Sequence, residues 1–236
     1  MKLKKIHLIT AQIVCETGLH IGGSDAEIHI GGIDNQVVKN PITHEPYIPG
    51  SSLKGKIRSL LEWKSGVVQS GPFSWETFSK EQDEGRKIEI LKILQLFGVG
   101  GSQTLNAEQA KQIGPTRLSF WDCSLSRDWV EQIKSDNLLF VEAKTENTID
   151  RIQGTAKHPR QTERVPAGAH FDFNLSCKEL DADEDWLPYI VRFLKLLELD
   201  SLGGSGSRGY GKIRFCNIRI DGQPMPKGLA EVNPFE

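Results

Sequence analysis

Cysteine is scarce and unclustered: Cys15, Cys123, Cys177 and Cys216 stand far apart, with no CxxC or CxxH pairing among them. That spacing argues against a local zinc knuckle and against a disulfide scaffold, so no zinc is expected and the thiols read as buried apolar side chains. Long hydrophobic runs are missing too. The opening "KLKKIHLITAQIVC" interrupts its apolar residues with polar ones at every second or third position. This fits neither a signal peptide nor a membrane span, and it predicts a cytoplasmic protein with no membrane partner. An excess of basic charge is also absent, the net charge being −2. A simple nucleic-acid-binding domain is normally clearly basic, so any phosphate binding here has to come from local patches. Neither an internal repeat nor a low-complexity segment occurs.

What is present suffices for a sizeable core: 236 residues, 38% of them hydrophobic. Residues 3–16 carry Ile9, Ala11, Ile13 and Cys15 on one parity and read as a strand. Residues 18–49 are too punctuated by glycine and proline for a long element and read as a lid-like excursion over the sheet. In "PGSSLKGKIRSLLEW", Ser51 or Ser52 reads as an N-cap, followed by Leu53, Ile57, Leu60 and Leu61 at helical spacing. Residues 65–115 hold a helical insertion around "IEILKILQLFG", with Gly98 as its C-cap. "TRLSFWDC" and "HFDFNLSC" alternate and read as strands. The polar stretch over 145–168 between them reads as a long hairpin arm off the core. A second helix is predicted from about Asp185 to Asp200. It is followed by a last strand over about 211–220, whose change of parity predicts a bulge near Cys216 or Asn217. In order these elements are β, α, β, β, α, β, an α+β chain with the ferredoxin-like (RRM-like) core and long insertions.

Residues 203–211, "GGSGSRGYG", place five glycines in nine positions between two core-like elements. In a βαββαβ fold this loop lies at the same end of the sheet as the start of the first helix. Free N–H groups, the hydroxyls of Ser51 and Ser52, a helix dipole and Lys54 there make a candidate phosphate wall. Lys56 and Arg58 extend it along the helix, and Arg208 and Lys212 add charge from the loop. No Walker pattern precedes the lysine, so a nucleic-acid backbone is expected rather than a nucleotide. Arg151, Lys157, Arg160 and Arg164 make a second basic stretch on the arm. His29, His44, His158 and His170 show no partner in sequence and read as surface or structural.

The segments "ETGLHIGGSD", "IGGIDNQVVKNPITHEPYIPGSSLKGKIRSLLE", "ENTIDRI", "PRQTER" and "LKLLELDSLGGSGSRGYGK" together resemble the RAMP superfamily of CRISPR systems. Within it they are similar to the backbone subunit of the type III-A interference complex. The resemblance implies a single RAMP domain that polymerises on CRISPR RNA as a filament of its own copies. Complementary target RNA and other type III-A subunits would be its further partners, and the arm would be thumb-like. It also implies that Asp34 is the catalytic carboxylate of an endoribonuclease, acting as base or as ligand to a transient Mg²⁺ or Mn²⁺, with Asp25 its nearest rival. The resemblance adds His20 as an RNA contact, and with the patches read above the expected RNA-contacting set is His20, Ser51, Ser52, Lys54, Lys56, Arg58, Arg151, Arg160, Gln161, Arg164, Gly204, Gly206, Ser207, Arg208, Gly209 and Lys212. Two other expectations stand beside this one, a non-cleaving scaffold and a metal-independent nuclease that processes CRISPR precursors.

Overall fold

The computed structural model describes residues 1–23, 34–100 and 104–236. Along the chain come β1 (Leu3–Cys15), β2 (Tyr47–Ile48), α1 (Gly50–Lys64), α2 (Trp75–Lys80), α3 (Glu84–Phe97) and α4 (Ala107–Ile113). Next are β3 (Leu118–Phe120), β4 (Cys123–Ser124), α5 (Arg127–Ser135), β5 (Glu142–Ile149), β6 (Ala156–Arg164) and β7 (His170–Leu180). The chain closes with α6 (Leu187–Leu199), β8 (Ile213–Ile220) and β9 (Gln223–Pro224). The main sheet has the order β3-β7-β1-β8-β9. Leaving aside the two-residue β9, this is the antiparallel order of a ferredoxin-like core, with β1 and β7 as its central strands.

The alternation in β1 decides which face is buried. Ile9, Ala11 and Ile13 stand opposite Leu175, Phe173 and Phe171 on β7, and Ile13 also faces Phe215 on β8. All of these are buried, and α1 and α6 join the same core through Leu53, Ile57, Ile190, Phe193 and Leu197. The expected bulge lies at Asn217, which takes φ 55° where the β1–β8 register shifts by one residue. It restores Ile218 to the buried face. Among the cysteines, Cys15, Cys123 and Cys177 are buried and Cys216 is half-buried. Burial alone, or as the largest cause, pushes the first three thiols up to about 12. No helix among the described residues is long and apolar enough to cross a membrane.

One local expectation needs correction. The N-cap of α1 is Pro49 rather than Ser51 or Ser52, and no side chain of its own caps it. The Pro49 carbonyl accepts from the amides of Ser52 and Leu53, while the Gly50 amide donates to Asp122 Oδ1 at 2.7 Å. A carboxylate from the β3–β4 turn thus already sits at the positive end of the helix. The stretch after "TRLSFWDC" holds a helix outside the elements expected above. α5 buries Trp129, Val130 and Ile133, a short amphipathic helix hidden between two turn-rich segments.

The arm is the β5–β6 hairpin. From Ala156 to Gln161 every residue of β6 is exposed, and the pairing runs from Glu142 opposite Arg164 to Ile149 opposite Ala156. Its tip has almost no apolar contact to lose, and Ile152 is 96% exposed. Deleting 153–160 is therefore expected to leave the thermal unfolding midpoint within about 2 °C of wild type, because surface changes move stability by only about 0.5 kcal/mol. A differential scanning measurement on the shortened chain checks this.

Candidate functional site

Three structures meet where β1 ends: the strand-like segment 18–20, the base of the arm and the glycine loop. Leu19 exchanges backbone hydrogen bonds with Val165 at 2.9 and 2.8 Å. The loop is laced to the same segment by Gly204 N to His20 O and Gly211 N to Gly18 O, both 2.9 Å. It reaches the arm through Arg208, whose Nε lies 3.2 Å from Glu146 Oε2. It reaches α1 through Asp200, which pairs with Lys56 Nζ at 2.7 Å. The loop is thus the hub that fixes the arm, the first helix and residues 18–20 against one another.

The glycines explain how such a tight hub closes. A Cβ on Gly211 would run into the Leu202 carbonyl, on Gly203 into the His20 carbonyl, and on Gly206 into the Ser201 hydroxyl. Gly211 and Gly203 also hold φ of +71° and +78°. Close approach is therefore, at these positions, approach to the chain's own atoms. Gly209 differs, holding φ +83° with open space on its Cβ side, and at Gly204 a Cβ would make only ordinary contact with His20, its ring at 3.5 Å and its carbonyl at 3.9 Å. Gly211→Ala is thus expected to destabilise the protein by several kcal/mol, through backbone collision and left-handed strain together. Gly209→Ala should cost only about 1–2 kcal/mol, the strain alone. Paired denaturant titrations of the two variants test the difference.

Asp34 stands at the foot of the arm. It is exposed, and its Oδ2 accepts from the Gln161 amide on β6 at 2.9 Å. The neighbouring Asn35 runs parallel to β6 at Thr162, taking the Glu163 amide on its carbonyl at 2.8 Å and giving its own amide to Gln161 O at 3.3 Å. One carboxylate oxygen is thus held by the backbone while the other has no partner among the described residues. Beside it lies a concavity of about 210 Å³ lined by Asn35, Glu146, Thr148, Arg160, Thr162 and Arg208. Asp25 and His29 fall outside the described residues.

His20 is half-buried, with Nδ1 2.6 Å from the Glu163 carbonyl. A carbonyl only accepts, so Nδ1 carries the proton and Nε2 is left as the free nitrogen. Glu163 itself is 4% exposed. Its carboxylate accepts from the Val37 amide at 2.9 Å and from Lys39 Nζ at 2.6 Å, pinning the excursion to β6. This buried acid lies in "PRQTER", where in sequence it stands as one more charge beside Arg160 and Arg164.

The basic residues divide into committed and free. Arg58 is a correction: it is 8% exposed, and its guanidinium is engaged by Glu62 Oε1 at 2.7 Å and by Phe73 O at 2.8 Å. It supports the helix–insertion junction rather than a phosphate strip. Lys212 Nζ donates to the Glu198 carbonyl at the end of α6. Arg164 pairs with Glu142 at 2.6 Å and lies 5.1 Å over the Tyr210 ring, with Lys144 at 4.5 Å from the same ring. Among the described residues Arg151 bonds only the Ile149 carbonyl, at the arm tip. Lys54 and Arg160 have no ion pair among the described residues. Burial, with the nearby Arg58 charge second, holds the Lys54 amine below its usual range. Ser51, Ser207 and Gly209 are exposed, and Ser52 and Gly206 half-buried, around the same end of the molecule.

The family model described as the RAMP superfamily matches residues 12–214. The chain is 39% identical over 238 residues to the CRISPR system Cms endoribonuclease Csm3 of Methanothermobacter thermautotrophicus, spanning 95% of this chain and 89% of that one. With the protein of the same name from Streptococcus thermophilus it shares 44% identity over 215 residues, 89% of this chain and 87% of the other. Among solved structures it resembles a chain of the Csm3–Csm4 subcomplex in the type III-A CRISPR-Cas interference complex. The TM-score there is 0.55 at 27% identity, covering 96% of this chain and 84% of that one. The type III-B Cmr-beta complex bound to cognate target RNA shares the fold, at TM-score 0.59 and 19% identity over 92% of this chain and 61% of the other.

Proposed function

We propose that this chain, which belongs to the RAMP superfamily, is the target-cutting backbone subunit of a type III-A CRISPR ribonucleoprotein in the cytoplasm. Copies would polymerise along CRISPR RNA, and each would present one carboxylate to the paired target. The observation that carries this reading is the placement of Asp34. It is exposed, aimed by the Gln161 amide, and set at the root of the exposed β5–β6 arm.

RNA supplies its own nucleophile. The 2′-OH attacks the adjacent phosphorus and loses its proton to a base, and the 5′ oxygen is expelled and takes a proton from water, leaving a 2′,3′-cyclic phosphate and a 5′-hydroxyl. A protein then needs only to align the strand, take or assist the proton, and balance charge on the phosphate. Asp34, with one oxygen fixed and one free, would take or steer the proton. Arg160 and Arg208, lining the adjacent concavity, would face the phosphate oxygens. His20 and the loop amides would position the strand.

Among the described residues no group of three or more acidic, histidine or cysteine side chains gathers around one point. The donors present fit a Mg²⁺ or Mn²⁺ shared between Asp34 and RNA phosphates rather than an all-protein cage. Such an ion would supply charge neutralisation at the phosphate when bound.

The test is purification of the complex from cells that carry a CRISPR array. RNA of uniform length should accompany the protein, and a complementary target should be cut at several evenly spaced places. Cuts confined to accessible single-stranded sites would overturn the reading. Cutting that persists in a chelator would favour the metal-independent nuclease instead.

A further inference from the structure

The concavity beside Asp34 is lined from two parts of the molecule. Asp34 and Asn35 are hydrogen-bonded to β6 through the Gln161 and Glu163 amides, and Arg160 and Thr162 belong to β6 itself, so this side goes with the arm. Arg208 comes from the glycine loop. Among the described residues the backbone bonds that leave the loop run to Gly18 and His20, and none reaches the arm. Direct contact between arm and loop is therefore made by side chains.

Glu142, Lys144 and Glu146 alternate along β5 and so share one face of the arm, with Arg164 opposite Glu142 on β6. Tyr210 and Arg208 of the loop meet that face. The Tyr210 side chain is 1% exposed, with Lys144 Nζ 4.5 Å and the Arg164 guanidinium carbon 5.1 Å from its ring centroid. Each cation is drawn to the negative face of the ring while keeping a carboxylate of its own, Glu146 at 3.7 Å from Lys144 and Glu142 at 2.6 Å from Arg164. Arg164 also lies so close to Gly18 that a Cβ there would run into its side chain. The Tyr210 hydroxyl, by contrast, is buried and makes no hydrogen bond. Burial, and after it the nearby Glu146 carboxylate, holds the phenol above its usual pKa and keeps it neutral. What this contact uses is the ring.

The other direct contact is the pair of Arg208 with Glu146 at 3.2 Å, and it is the weaker tie. The Arg208 side chain is 61% exposed, so water and salt screen the pair, and a phosphate oxygen facing Arg208 would compete with the carboxylate for it. Tyr210 is the tie that remains once Arg208 is engaged. We propose that Tyr210 is a positioning residue for target cutting: its ring, gripped by Lys144 and Arg164, sets how the arm that holds Asp34 faces the loop that carries Arg208. This rests on the RNA-cutting reading above. A misplacement of about 1 Å between reacting groups costs on the order of a hundredfold in rate, so a small tilt of the arm is enough to matter.

The experiment is single-turnover cutting of a saturating complementary RNA by purified complexes carrying Tyr210→Phe, Tyr210→Leu or Lys144→Gln, with guide content and target affinity measured on the same samples. Tyr210→Phe keeps the ring and should cut within about twofold of wild type. Tyr210→Leu keeps an apolar side chain but not the ring, and should cut about tenfold or more slowly with guide content and target affinity within about twofold. Lys144→Gln removes one of the two grips from a partly exposed position and should slow cutting by about threefold with no change in the unfolding midpoint. If Tyr210→Leu fails to fold, Lys144→Gln decides alone. Cutting at the wild-type rate by the folded ring and lysine variants would overturn the proposal. Equal losses in Tyr210→Phe and Tyr210→Leu would overturn it too, since the hydroxyl would then be the group at work, and so would a slower rate matched by loss of guide or target, which marks a purely structural residue. Failure of the RNA-cutting reading itself would appear separately, as a wild-type complex without uniform RNA and spaced cuts.

Discussion

Asp34→Ala is expected to reduce target-RNA cleavage by roughly a thousandfold or more, while guide and target affinities stay within about twofold of wild type. The geometry separates the two quantities. Asp34 is exposed and contributes one hydrogen bond to the arm, from the Gln161 amide, whereas the hub that would hold RNA is closed by backbone bonds among Gly18, His20, Gly204 and Gly211. Removing the carboxylate frees one exposed amide to water and leaves those bonds intact. A target with 2′-deoxy sugars at the scissile positions should give the same result from the other side, bound and uncut, because the nucleophile is then missing. Single-turnover cleavage and filter binding on wild type and variant measure both. Wild-type cutting by the Asp34→Ala complex would sink the assignment, and so would cutting of the deoxy target at the same places.

The parts of this fold that were legible in the sequence are those where one physical signal dominates. The parity of Ile9, Ala11, Ile13 and Cys15 fixed the buried face of β1, and the break between Phe215 and Ile218 placed the bulge where Asn217 takes its positive φ. The arm was legible because a polar stretch cannot contribute to a core. Contacts made across long sequence separations carried no such signal. Asp122 caps the Gly50 amide from 72 residues away, and Arg58 turns inward to a carbonyl that Phe73 presents beside Glu62. From sequence, Arg58 is one more cation on a helix face. The glycine run was correctly read as a place of close approach, but its composition cannot say what approaches, and at Gly203, Gly206 and Gly211 it is the chain's own atoms. α5 is hard to read from sequence because nine residues supply only about two and a half turns of periodicity.

The largest stability effect is expected at Arg117. Its guanidinium meets the Asp183 carboxylate in a two-point contact, Nε to Oδ2 at 3.1 Å and Nη2 to Oδ1 at 2.8 Å, and both side chains are 4% exposed. Nη1 also donates to the carbonyls of Ile113 and Pro115, so one side chain joins α4, the approach to β3 and the β7–α6 turn. Burial works to raise the Asp183 pKa, but hydrogen bonds from Arg117 and the Leu180 amide, with the Arg117 charge, outweigh it and hold the carboxyl below its usual range. Arg117→Ala would leave that carboxylate buried without its countercharge and strand two carbonyls, at a cost of about 3–5 kcal/mol at pH 7. The sign of the pH dependence follows from the depressed value. Asp183 stabilises the wild type fully above the ordinary carboxylate pKa of about 4, and this contribution fades as pH falls through that range toward the lower folded value. The variant has no ion pair to lose, so the gap between the two proteins should narrow on acidification. Urea titrations of both chains at pH 7 and near pH 4 measure it, and a gap that is below about 1 kcal/mol at pH 7, or that widens in acid, would refute this account of the pair.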